Sequence, residues 1–330
     1  MHSLGVSPTH QGTSMPDPDI AVLISTYQRP EHLRRSLLSL ALQRDVSGRM
    51  EVVVTDDGSA DTSRPVVEAF ARAVACPVRF TTHAHDGFWL ARCRNEGIAA
   101  TKAPYLLISD GDCVFPPDHV HCHLAFRRAG QVAVGECVRF DKHVSERVTE
   151  NTIRSEMYPA LASPGARRRL ARKKSHAFWY HLLRLRMYPR LTGSNIGVWR
   201  SDIERINGFD ENFVGWGLED RDLQLRLSRL GLRFRSILSR TVAYHLWHEP
   251  APSFARNNLG TKNLDYYQRP HVPTRCLVGL QERIAASADS LRPERVLVRD
   301  PGSPTDNEET GLRLLPFPLA IRWQSLRKAG

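Results

Sequence analysis

The chain has 330 residues, 41% of them hydrophobic and 25% charged, with a formal net charge of +11. That balance describes a folded globular protein with a sizeable core and excludes a disordered chain. No apolar run reaches the length needed to span a bilayer.

Residues 1–18 carry no basic-then-apolar signal pattern and are rich in Ser, Pro, Gly and Thr, so they read as a flexible lead. "IAVLISTYQRP" (20–30) is a short apolar run closing in a polar turn, as a buried strand does. Pro30 then opens a helix with Leu33, Leu37 and Leu40 on one face. "MEVVVTDDGS" is a second strand, "TSRPVVEAFARAV" a helix and "PVRFTTH" a third strand. "FWLARCRNEGIAATK" is helical again, and "YLLISDGD" is a fourth strand ending in acids. Apolar strands alternating with helices predict an α/β fold: a mostly parallel, Rossmann-like sheet covered on both faces.

After "VAVGECVRF" (132–140) the pattern weakens, and residues 141–190 show no clean period. The stretch 167–190, "RRRLARKKSHAFWYHLLRLRMYPR", is strongly basic and holds no acid. "LTGSNIGVWR" returns as a strand, and Ser201 is the expected cap of a short helix after it. "GWGLEDRDLQLRL" (215–227) then sets Glu219, Asp220 and Asp222 at a helix start, where free N–H groups favour acids. Leu223, Leu227 and Leu230 follow at helical spacing, with Gly231 as the expected terminator. "RFRSILSRTVAYHLWHEP" is strand-like and ends in His245 and His248. The six cysteines form no CxxC pair, which fits reduced thiols in a cytoplasmic protein.

The strand ends carry the chemistry. Thr26 and Tyr27, Asp56 and Asp57, and Asp110 and Asp112 all follow C-terminal strand ends, the edge where open α/β sheets bind ligands. An Asp-x-Asp there suits a divalent metal on a diphosphate. His245 and His248, three apart, could join Asp112, and imidazole suits Mn²⁺ better than Mg²⁺.

"LISTYQRP", "VTDDGS", "ARCRNEGI" and "LLISDGDCVFPP" resemble the nucleotide-sugar domain of family 2 glycosyltransferases of the GT-A fold. "LTGSNIGVWR", "GFDENFVGWGLEDRDLQLRLSRLG" and "AYHLWHEP" resemble the galactosyltransferase-type segment of bacterial chondroitin polymerases and animal β-1,4-galactosyltransferases. The resemblance implies a nucleotide-sugar-binding half at 19–140, a basic acceptor-side insertion at 141–190 and a smaller acceptor and catalytic half at 191–270. A C-terminal extension at 271–330 follows. It implies that Thr26, Tyr27, Arg29, Asp57, Arg94 and Asp110 hold the nucleotide and that Asp112 binds Mn²⁺ or Mg²⁺. Direct matching favours His245 as a further ligand, and the "HEP" ending favours His248. Asp220 becomes the catalytic base of an inverting transfer, with Glu219 on sugar hydroxyls. Trp216, Gly217 and Asn195 contact the acceptor or donor sugar.

The implied function is transfer from a nucleotide sugar, with UDP-sugar as the expected donor, to a glycan or lipid-linked glycan in bacterial polysaccharide or surface-glycan synthesis. Two other classes compete. A nucleotidyltransferase needs a glycine-rich loop after its first strand, and "STYQRPEH" has no glycine. A nucleic-acid binder would use the basic run, but convergent acids repel a phosphate backbone, so no nucleic-acid partner is expected. The basic run and the terminal "LPFPLAIRWQSLRKAG" (315–330) suggest peripheral contact at the cytoplasmic membrane face.

Overall fold

The computed structural model describes residues 17–185, 187–250 and 262–289. The terminal stretch 315–330 therefore lies outside the described residues.

Ten strands are described: β1 (Ile20–Thr26), β2 (Met50–Asp56), β3 (Val78–Thr82), β4 (Tyr105–Asp110), β5 (Cys113–Val114), β6 (Gln131–Val134), β7 (Cys137–Arg139), β8 (Asn195–Trp199), β9 (Arg233–Ser236) and β10 (Ala243–His245). The helices of the first half are α1 (Pro30–Ala41), α2 (Ser63–Ala73), α3 (Leu90–Ala99) and α4 (His119–Phe126). Beyond them come α5 (Lys142–Glu146), α6 (Glu150–Arg154), α7 (Pro164–Leu182), α8 (Arg200–Arg205), α9 (Glu219–Arg229), α10 (Lys262–Tyr267) and α11 (Leu280–Asp289).

Seven strands form one sheet in the order β3-β2-β1-β4-β8-β6-β9. β1 pairs in parallel with both β2 and β4, and β2 with β3. β8 runs antiparallel to its neighbours β4 and β6. Every residue of β1 and β2 is buried, which is why both read as unbroken apolar runs rather than alternating ones. The strand order reverses between β1 and β4, so Thr26 and Asp110 flank the crevice that such a reversal opens.

A second, three-stranded sheet has the order β5-β10-β7. It positions the site, because His245 on β10 pairs with Cys113 and with Arg139. The six cysteines are all free thiols. No helix among the described residues is long and apolar enough to cross a membrane.

Three local expectations need adjusting. The stretch 164–182, without a clean period in sequence, is a 19-residue helix capped by Ser163, whose hydroxyl accepts from the Ala166 N–H at 3.2 Å. It buries no residue, so it leaves no apolar stripe to read. Ser201 lies inside α8, which starts one residue earlier and has no side-chain cap. Leu230, expected on the buried face of α9, is its half-buried C-cap; Gly231 follows at φ +84°, as a left-handed terminator does.

Candidate active site

A cavity of about 380 Å³ opens at the C-terminal edge of the parallel strands. Thr26, Tyr27, Arg29, Asp57, Asp110 and Asp112 line it from one side, and Trp216, His245 and His248 from the other. Residues far apart in sequence thus share one cavity. Arg94, Asn195, Gly217, Glu219 and Asp220 do not line it.

The β1–α1 and β2–α2 turns build the first wall. Tyr27 stacks on His85 with ring centroids 4.3 Å apart and planes 13° from parallel. Asp57 accepts from His83 Nε2 at 2.9 Å and from the Trp89 N–H at 3.2 Å. His83 also bonds Glu96 through Nδ1 at 2.7 Å. Burial works against its charge, yet the hydrogen bonds to Asp57 and Glu96 push its pKa up to about 9. His83 is therefore an imidazolium that holds Asp57 in place. Asp56, next along, turns away: it accepts from Ser59 and Thr82 and braces the loop.

Asp112, His245 and His248 meet at the floor. Their ligand atoms all lie within 4.8 Å of one another. His245 Nε2 is 3.3 Å and His248 Nε2 3.0 Å from the Asp112 carboxylate. Both histidines reach it because the Leu246 N–H bonds the Asp112 carbonyl at 2.8 Å, pinning the chain between them. The His248 Nδ1–H donates to the Glu249 carbonyl at 2.8 Å, which turns Nε2 towards Asp112 as the nitrogen that could bind a metal. Burial alone would raise the Asp112 pKa, but His245, His248 and Arg29 hold it well below the carboxylate range. Two imidazoles and one ionised carboxylate are a donor set that fits a divalent transition ion such as Mn²⁺.

Behind this floor, Arg94 is 2% exposed and bridges Asp110 at 3.2 Å and Glu219 at 3.1 Å. Gly193 makes room for it: a Cβ there would lie 2.3 Å from Arg94 Nη2. The Gly-Trp-Gly turn is left-handed at Gly215, Gly217 and Leu218, with φ of 83°, 99° and 77°. This turn swings Trp216 into the cavity and starts α9 at Glu219. Burial and then the Asp220 charge push the Glu219 pKa up to about 7, against the pull of Arg94. Burial also raises Asp220, against Arg94 and the backbone N–H groups of Arg221 and Gly193. The first-turn dipole does not prevail at either acid.

Asn195 requires a correction. It is 0% exposed, its Oδ1 faces His123 Nε2 at 3.0 Å, and its Nδ2 donates to the Glu136 carbonyl. With no free surface it supports the β4–β8–β6 junction instead of touching a sugar. Sequence reasoning missed His83, His85, Phe88, Arg139 and Trp247. His83 closes the third predicted strand and Trp247 sits between the two histidines, but a lone His or Trp carries no spacing signal.

The model for glycosyl transferase family 2 matches residues 21–188, about half of the chain and the whole parallel half of the sheet. The chain belongs to glycosyltransferase family 2. A second model, described as the N-terminal domain of galactosyltransferase, matches residues 173–249 and so covers Trp216, Glu219, Asp220 and both histidines. The family 2 chain is 27% identical over 275 residues to validoxylamine A glucosyltransferase of Streptomyces hygroscopicus subsp. limoneus, covering 77% of this chain and 57% of that protein. It is 26% identical over 239 residues to chondroitin synthase of Escherichia coli, covering 68% of this chain and 34% of that one. The chain therefore spans between a third and three fifths of these relatives. Among solved structures, S. aureus TarS 1–349 in complex with UDP-GlcNAc superposes with a TM-score of 0.51 at 15% identity, over 72% of this chain and 61% of that one. The fold is that of the GT-A glycosyltransferases.

Proposed function

We propose that this family 2 chain is an inverting, metal-dependent glycosyltransferase that moves a sugar from a nucleotide sugar, a UDP-sugar, to a hydroxyl of a glycan or lipid-linked glycan. The observation that carries the reading is the meeting of Asp112, His245 and His248 in the cavity that also holds Tyr27, Asp57 and Asp110. A glucosyltransferase, a chondroitin synthase and a UDP-GlcNAc complex among the similar proteins support sugar transfer and a uridine donor.

In this reading the Tyr27–His85 stack and Asp57 hold the base, and Asp110 the ribose. Asp112, His245 and His248 would hold a divalent ion, whose positive charge would offset the charge growing on the departing diphosphate. Arg29, 3.5 Å from Asp112, adds a second cation on the same side. Trp216 bounds the sugar, and Gly217 shapes the turn that carries it. Asp220 accepts the proton of the acceptor hydroxyl as that oxygen attacks the anomeric carbon, and its raised pKa strengthens it as a base. Glu219, poised near neutrality and tied to Asp110 through Arg94, is the next group able to take that proton.

A panel of UDP- and GDP-sugars, scored for Mn²⁺-dependent hydrolysis and thermal stabilisation, tests the reading, because a bound donor raises apparent stability by mass action. Stabilisation by one nucleotide sugar with Mn²⁺, lost with chelator, is the expected result. Pyrophosphate release from a nucleoside triphosphate, with no response to any nucleotide sugar, would replace it with a nucleotidyltransferase.

A further inference from the structure

Helix α7 presents two unlike faces. At about 100° per residue, Ala166, Leu170, Ala177 and Tyr180 share the inner face, and these are the half-buried side chains. Ala166 and Leu170 pack on the core cluster that contains Tyr158 and Tyr244. Phe178, Trp179 and Leu182 share the opposite face with Arg168 and Ser175, while Arg167, Arg172 and Lys174 flank it. Phe178 is 61% exposed, Trp179 52% and Leu182 58%. Leu183 and Leu185 extend the apolar surface, so it is a contiguous patch rather than a scatter of single residues.

The charge around this patch is uncompensated. Among the described residues, Arg168, Arg172 and Arg184 have no carboxylate partner. Neither do Arg233 and Arg235 on β9, the edge strand against which α7 packs. A merely solvated basic helix has no reason to turn Phe, Trp and Leu outward. A nucleic-acid surface would stack bases in a groove. A convex helix with an aromatic and leucine centre and cationic flanks matches an interfacial helix instead.

We propose that α7 and the adjoining edge of β9 dock the protein on an anionic lipid surface, with Phe178, Trp179 and Leu182 in the headgroup region and the flanking arginines against lipid phosphates. The inner side of the same helix serves the site. Arg169 and Lys173 line a cavity of about 290 Å³, and Arg139 and Ser194 belong both to it and to the donor cavity. An acceptor anchored in the bilayer would therefore reach the reacting carbon beneath α7. That last step rests on the transferase reading; the docking does not.

The test is flotation of the full chain with vesicles of phosphatidylcholine alone or with added phosphatidylglycerol. The wild type floats only with phosphatidylglycerol, and less as salt rises. Each cationic residue contributes roughly five-fold in partitioning, so Arg168→Glu with Arg172→Glu lowers it by at least about ten-fold. Phe178→Ser with Trp179→Ser lowers it comparably while leaving charge intact. Both variants change exposed residues, so melting temperature and nucleotide-sugar hydrolysis in solution stay at wild-type values, which separates lost docking from a failed transferase reading. Wild-type flotation by both variants overturns the proposal. So does a wild type that ignores vesicles and instead shifts a polyuridylate RNA in a gel.

Discussion

Replacing Glu219 with Gln should make the protein more stable and less active. The Glu219 carboxyl is buried beside Asp220, and its pKa stands at about 7 in the folded chain against an ordinary 4.5. A raised carboxyl pKa means that the folded state binds its proton more tightly than the unfolded chain does. Stability is therefore lost as pH rises through 4.5 to 7, and the penalty is complete above that window. The gap between about 7 and 4.5 is worth about 3 kcal/mol at most. Gln keeps the shape and removes the charge, so Glu219→Gln should gain about 2–3 kcal/mol on the wild type between pH 5 and pH 8. Chemical denaturation of both proteins at the two pH values, without metal, measures this; the difference cancels the titrating groups that do not interact with Glu219. A variant no more stable than wild type at pH 8 would refute the reasoning, because it would mean that Arg94 compensates Glu219 in full.

Asp220→Asn should lower turnover by about 10²- to 10⁴-fold while donor affinity holds, measured by steady-state kinetics beside donor titration; unchanged turnover would move the base to Glu219. Gly193→Ala should drive a methyl into the buried Arg94 guanidinium and cost about 3–5 kcal/mol, as breaking a buried ion pair does, read from denaturation midpoints. Burial pushes His123 down to about 4 and lowers His119 as well, so both fold neutral, and the unfolded chain binds more protons below pH 6.5. The contribution of these two histidines should therefore be complete above pH 6.5 and fall away towards pH 4, by about 3 kcal/mol for His123 alone, and His123→Gln should flatten that part of the pH dependence.

The sheet was legible because burial on both faces leaves β1, β2 and β4 as unbroken apolar runs, and acids at their ends mark the binding edge. The trio of Asp112, His245 and His248 was legible only in part. Spacing alone could not choose between the histidines, and the fold brings both to one carboxylate by pinning Leu246 to the Asp112 backbone. The supporting residues were not legible. His83 acts through Asp57 and Glu96, which meet it only when β3 lies beside β2, and nothing local marks it. Asn195 failed for the converse reason: its motif reads as sugar-binding, but the packing of β8 between β4 and β6 buries it. The helix at 164–182 escaped detection because its inner face is only half-buried and its outer face mixes Phe178, Trp179 and Leu182 with arginines, so no clean apolar period shows.

Asp112, His245 and His248 are the residues proposed to hold a divalent ion for a nucleotide diphosphate. Calorimetric titration of UDP with and without Mn²⁺, into wild type and into Asp112→Asn, His245→Ala and His248→Ala, tests that most directly. Loss of a ligand typically costs at least about ten-fold in metal affinity. The expected result is Mn²⁺-dependent UDP binding in the wild type and a comparable loss in all three variants. UDP binding that is equal with Mn²⁺ and with chelator, and unchanged in the variants, would contradict it.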